Sequence, residues 1–572
     1  MLPPIVRAAL ALFAGLCLES LSGASAQTPF FPLKDLKQGM RGVGKTVFAG
    51  DRIDDFQVEI LGVLENIGPK QSLILARLSG GPLANTGVMQ GMSGSPVYIE
   101  GKLLGAVAMG FPFSKEPIAG IRPIEEMVRS GGTGGRLKPG EPVLSGGMKM
   151  IDIATPMSFG GFTGAAIEHF APRLRALGLE PLQGLSLGGK VEDRMGDRAM
   201  LHPGSMISVQ LMTGDLSVGA DGTVTYIDGE KVYAFGHRFL SVGPTSLPFA
   251  RAEVMALLPN LNSSFKISAP KELMGIISQD RNTAVSGLLG LRANLVPVDI
   301  SVQRTGRRDT YRMQMVNDPY LSPFLLQMAV FSSLDATERS LGAATISVKG
   351  AIEFDGNRPP IRLDNMYSGD SGSAAQISMS AAVPLSYVLQ TGFDQLHVKR
   401  VELAIEAADT KKLLNIEQVN LSRKEVRPGG DLDITVLLAG GNGIELTRTV
   451  RYRVPAGAPP GTLYFSVTDG AQASISELRQ IVGSEPRSAD QVIANANKMR
   501  SNSKAYVRVW RADPDYQVDG RDLPGPPPSA AMIFAGTPSI QKTQNSKVGE
   551  FEIEADGNVV AGAKMVQVEV KE

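Results

Sequence analysis

Cysteine is almost absent from this chain. Its 572 residues contain one, Cys17, inside an N-terminal stretch that reads as a removable leader. The mature chain is therefore predicted to have no disulfide, thiolate metal site or cysteine nucleophile. Histidine is scarce too, with four residues; no two have ligand spacing and no HExxH occurs, so neither a metal nor another cofactor is expected. Charge of one sign is lacking, since Lys+Arg and Asp+Glu each number 57. No net field draws nucleic acid or an anionic membrane. After the leader, no apolar run approaches the roughly 18 residues of a membrane helix.

Turn formers, by contrast, are plentiful: 64 Gly and 37 Pro in a chain that is 43% apolar and 6% aromatic. That composition predicts a mainly β protein, and the length calls for several domains. The leader, residues 1–26, has Arg7 in its basic region, an apolar run from Ala8 to Leu18, and a small-residue cleavage site at Ala24-Ser25-Ala26. Leu16 before Cys17 speaks against a lipoprotein. The expectation is an exported protein, periplasmic or extracellular in a bacterial envelope, with no membrane span after cleavage.

Five further segments follow. Residues 27–147 read as short strands, including Gln57–Leu64, Ser72–Leu78 and a hairpin of Val97-Tyr98-Ile99, Glu100-Gly101 and Lys102–Met109, closed by a short helix at Ile124–Val128. Residues 148–290 carry a helix at Gly164–Leu177 stopped by Gly178, and a hairpin at 223–235 whose Asp228-Gly229 suits a type I′ turn. Residues 291–397 are mixed, with an apolar helix near Ser322–Phe331. Residues 398–470 alternate like a β-sandwich module. Residues 471–572 combine a capped helix at Ser488-x-x-Gln491, a Pro-rich loop at 524–528 and terminal strands.

Several segments suggest chemistry. Gly39 to Thr46 fits GxxxxGK[ST], but no buried strand precedes it and no helix follows, so it reads as a Gly-rich strand entry. Gly91-Met92-Ser93-Gly94-Ser95-Pro96 is stronger. Its glycines permit a sharp turn that exposes a nucleophilic hydroxyl, with the Gly91 and Ser93 amides placed to hold an oxyanion; a plain Gly/Ser turn is the bland alternative. His237, at the end of a hairpin strand beside Gly236, is the natural general base. The alternative there is a buried histidine satisfied by a carbonyl. His169 falls in a helix, His202 in a His-Pro-Gly turn and His397 in a linker. Ser368-Gly369-Asp370-Ser371-Gly372-Ser373 offers a second serine, but reads as a polar loop leading into a small-residue packed segment.

The run Val88–Pro96, with Gly101–Val107 after it, closely resembles the nucleophile region of the sporulation factor IV B serine peptidases. Gly236-His237, and more loosely Gln279–Asn282, resemble that family's histidine region. The resemblance spans about residues 35–290 and implies a two-barrel, trypsin-like core, followed here by β-sandwich modules, with protein or peptide substrates. Two departures stand out. The serine half precedes the histidine half, as if the barrels were permuted, which spatial triad geometry tolerates. The family's aspartate, 15 residues before the serine, is replaced by Leu78. Asp280, 43 residues past His237, is the substitute candidate for orienting the base; Asp228 is better explained by its turn. The resemblance thus implies a serine endopeptidase using Ser93, His237 and Asp280. The rival is an inactive pseudopeptidase kept as an envelope binding scaffold. The Gly-rich linkers at 130–147 would be accessible to self-cleavage.

Overall fold

The structure is a computed structural model. It describes residues 29–572 except 112, 130–142, 146–147, 184–190, 305, 337–341, 394–395, 442, 483–485, 487, 514, 519–520, 524–525, 538–539 and 544. The leader, most of the linker at 130–147 and part of the Pro-rich loop thus lie outside the described residues. The protein is mainly β, with 53% of residues in strands against 18% in helices.

Two closed barrels form its N-terminal half. The first comprises β1 (Arg41–Ala49), β2 (Arg52–Gly68), β3 (Gln71–Ser79), β4 (Pro96–Ile99), β5 (Lys102–Gly110) and β6 (Ile118–Pro123), in the order β4-β1-β2-β3-β6-β5, and a β4–β5 ladder closes the ring. The Gly39–Thr46 motif lies mostly within β1, where it pairs with β2. The second comprises β7 (Met206–Gly214), β8 (Ser217–Asp228), β9 (Lys231–Ala234), β10 (Gly243–Leu258), β11 (Phe265–Arg281) and β12 (Ala284–Leu289). Its order is β8-β9-β12-β11-β10-β7, closed by a β7–β8 ladder. Closure leaves neither six-stranded ring an open edge of its own, and alternate side chains fill each interior. Phe56, Ile60, Ile74 and Val97 fill the first barrel, and Val209, Val224, Phe235 and Phe249 the second.

The hairpin turns invert the expectation. Asp228 pairs with Lys231, so the second barrel's loop is Gly229-Glu230, and of its two residues only Gly229 has positive φ. A type I′ turn needs both. The β4–β5 loop, Glu100-Gly101, has both, at 51° and 76°. The helix Gly164–Ala176 forms as expected: Thr163 caps it through the Ala166 N–H, and Gly178 leaves it at φ 81°.

The β7 strand also pairs with Arg307–Val316, continuing the second barrel's sheet through Leu295–Arg304 and Val398–Ala408 to Ala344–Phe354 and Ile361–Gly369. Helices Leu321–Asp335 and Ser373–Leu389 pack together on this extension. The sandwich therefore does not start at residue 398. Nor does it end at 470: Leu413–Leu421, Asp431–Ala439 and Gly461–Asp469 share one core with Lys504–Arg511, Ser546–Glu554 and Ala563–Val570. Sequence-distant strands complete both sheets, which local alternation cannot reveal. Ser488 caps Ala489–Ala496 through the Gln491 N–H. Among the described residues, no helix is long and apolar enough to cross a membrane.

Candidate active site

The Ser93 turn joins β3 to β4 at the seam between the barrels. Gly91 and Gly94 sit at φ 87° and 94°, conformations that side-chain-bearing residues resist. Gly94 is also required sterically, since a Cβ there would fall 2.0 Å from the Thr223 carbonyl oxygen and 2.5 Å from the Phe235 nitrogen. The second barrel grips this turn at many points. Thr223 N–H donates to Ser93 O at 2.9 Å. Thr223 Oγ1 donates to Gly91 O at 2.8 Å, and Thr225 Oγ1 to Gly94 O at 2.7 Å. Gln90 bridges to Phe265, donating to Ser264 O and accepting from the Lys266 N–H.

Within the turn, the Met92, Gly94 and Ser95 N–H groups are spent on main-chain carbonyls. Among the described residues, the Gly91 and Ser93 N–H groups meet no acceptor. Ser93 is fully buried, and its Oγ has no partner either.

His237 follows β9, one residue after Gly236 (φ 68°), where a Cβ would meet Ala106, Val107 O and Ala108 of the first barrel at 3.1–3.3 Å. Val107 O is also the acceptor for the Gly94 N–H. One carbonyl of β5 therefore binds the Ser93 turn and lies beside Gly236. The Phe235 ring lies 6.0 Å from the imidazole. His237 is 2% exposed, and its Nδ1 lies 2.6 Å from Arg238 O. A carbonyl only accepts, so Nδ1 carries the proton and Nε2 presents a lone pair. Nε2 is buried without a partner. Burial pushes the imidazole pKa down, opposed by the Asp152 charge and the Arg238 carbonyl. The ring is held neutral and ready to accept a proton.

Asp280 departs from its expected place. It does not bond the imidazole. Its Oδ1 accepts from the Phe239 N–H at 2.8 Å, and its Oδ2 from Leu240 at 2.6 Å and Val242 at 3.3 Å. The carboxylate thus pins the loop after His237, while the orienting acceptor is a main-chain carbonyl. Burial raises the Asp280 pKa despite those N–H groups. Leu78 is fully buried core, as its side chain dictates.

Other carboxylates and an amine surround the seam unannounced. Asp152 ends the strand Met148–Asp152, pairs with Met109 of β5 and lies 3.9 Å from Arg238 Nε. Lys266 and Asp221 are buried in β11 and β8. Strand alternation hides Lys266, because Phe265 and Ile267 look like the inward face. Asp221-Gly222 looks like a turn, yet lies mid-strand. Ser371 sits exposed before the helix Ser373–Leu389, as a polar loop. His169 stacks on Phe331 at 4.7 Å, and His202 and His397 are exposed.

Residues 26–128 match the SpoIVB peptidase S55 family model. The SpoIVB-type segment covers the whole first barrel and the Ser93 turn; His237 and the second barrel lie beyond it. At family level the match is to a serine peptidase with protein substrates. No curated protein matches the chain significantly.

Proposed function

We propose that the chain is an exported serine endopeptidase of SpoIVB type, its serine and histidine halves in permuted order. One observation carries this reading: among the described residues Ser93 Oγ and His237 Nε2 are both buried with no hydrogen-bond partner, each other included, on segments that both lie beside the Val107 carbonyl of β5. A buried polar atom left unpaired costs about 1–3 kcal/mol, so two at one seam point to a retained task.

In the proposed reaction, Ser93 Oγ attacks a substrate carbonyl carbon and its proton passes to His237 Nε2. The oxyanion accepts hydrogen bonds from the Gly91 and Ser93 N–H groups. The C–N bond then breaks, with His237 returning the proton to the leaving amine. Water, deprotonated by the same imidazole, releases the acyl group. Arg238 O holds the reactive tautomer, and Asp280 acts as a positioning residue through the 239–242 loop. Burial of Ser93 requires its surroundings to shift before substrate enters.

The test is fluorophosphonate labelling of the mature protein. Labelling at Ser93 is expected, lost in Ser93→Ala and slowed by about 10²–10⁴-fold in His237→Ala. Labelling that persists in Ser93→Ala removes the assigned nucleophile. An unlabelled wild type, beside a reacting control peptidase, leaves the protein as a binding scaffold.

A further inference from the structure

Beside the Ser93 turn lies a polar chain that the proposed reaction does not use. Lys266 is 1% exposed, and its Nζ lies 2.7 Å from Thr46 Oγ1. Thr46 Oγ1 in turn accepts from Ser95 Oγ at 3.0 Å. The same lysine reaches the turn twice more. Its N–H donates to Gln90 O at 3.2 Å, and its stem lies so close to Gly91 that a Cβ there would sit 3.3 Å from Cδ. One residue of the second barrel thus meets the first barrel's turn at Gln90 and Gly91, before the serine, and reaches Ser95 beyond it through Thr46.

We propose that Lys266 is a positioning residue for the Ser93 turn, holding it through Gln90, Gly91 and the Thr46–Ser95 hydroxyl chain in a manner that depends on the protonation of its amine. This rests on Ser93 being the reactive hydroxyl.

Counting protons shows why protonation matters. With a neutral amine, the Nζ lone pair takes the Thr46 proton, and the chain runs Ser95 to Thr46 to Lys266 with every hydroxyl proton placed. With an ammonium, Thr46 accepts from both neighbours. Its own proton then has no acceptor among the described residues, and the interior holds a charge. Burial brings the amine to about 7, with the Asp221 charge opposing. The amine meets Thr46 on β1, with Ser95 of the turn behind that hydroxyl, and the charge of Asp221 on β8 acts on it. The Asp221 carboxyl is raised by burial, against hydroxyl bonds from Ser208, Ser268 and Ser158 and the charge of Lys266. Acidification therefore loosens the turn, and neutral or alkaline conditions secure it.

Hydrogen exchange of peptides covering 88–96 in the full chain, corrected for intrinsic rates, reads this without any substrate. Wild-type protection should fall roughly tenfold as pH drops through the neutral range. Lys266→Met should abolish the step, and Asp221→Asn should move it to lower pH by removing the charge that favours the ammonium. Should Lys266→Met not fold, Thr46→Val cuts the same chain with a near-isosteric side chain and should likewise flatten the profile. A flat wild-type profile, or a step unchanged in Lys266→Met or Thr46→Val, overturns the proposal. Wild-type labelling at Ser93 is scored separately, so failure of the peptidase reading and failure of this one are distinguishable.

Discussion

The two barrels have the same six-stranded closure but contribute different chemistry to their seam. Around Ser93 the first barrel sets neutral groups: two glycines at positive φ, the Gly91 and Ser93 amides, and the hydroxyls of Thr46, Ser93 and Ser95. Its buried ion pair, Arg122 with Glu126 at 3.6 Å, joins residues of its own half. The second barrel supplies Lys266, Asp221, His237 and Asp280, all at least nine-tenths buried. One half supplies shape and the other supplies ionisable groups. Burying these four beside the Arg251–Glu272 ion pair of the same barrel is costly, and the cost is tolerable where hydrogen bonds or a neutral form are available to each.

The contrast can be broken most severely at its shape-giving side. Gly94→Ala forces a Cβ into the Thr223 carbonyl and a strained φ, and should destabilise by about 3 kcal/mol or more, measured by urea denaturation, with separated barrels. Asp280→Ala strips three N–H groups of the 239–242 loop of their acceptor. About 2–3 kcal/mol should be lost, and fluorophosphonate labelling should slow as His237 loses its support.

Lys266→Met sharpens the ionisable side. The folded lysine titrates near 7 against an ordinary 10.5, so between those values the unfolded chain binds more protons and stability rises with pH. That rise should flatten in the variant, as melting across pH would show. The smallest effect belongs to Asp152→Asn. The Asp152 charge raises the His237 pKa, so its loss should move the acidic limb of the labelling rate to lower pH by a fraction of a unit, with stability nearly unchanged.

What could be read from sequence was local. The Ser93 turn declares itself because only Gly91 and Gly94 permit that backbone, and the helix at 164–176 because Thr163 and Gly178 mark its ends. The mainly β, two-barrel character followed from turn-rich short strands and the family resemblance. What escaped depends on which strand meets which. The sandwich draws strands from both sides of residues 470–500, and Val398–Ala408 joins a sheet begun two hundred residues earlier. Asp280 was found in the correct barrel, but its role was not: a carboxylate's partners are set by the loop that folds over it. The orienting acceptor of His237 is a main-chain carbonyl one residue away, for which side-chain identity carries no signal.

The seam also sets an order in time. The Ser93 turn is held by Thr223, Thr225, Ser264 and Lys266, all made well after it. A chain emerging from its N-terminus completes the first barrel's strands while these clamps do not yet exist. The Ser93 turn therefore lacks its last clamp, Lys266, until more than 170 further residues have been synthesised. On the proposed reading, chain direction alone delays assembly of the site until both barrels are made.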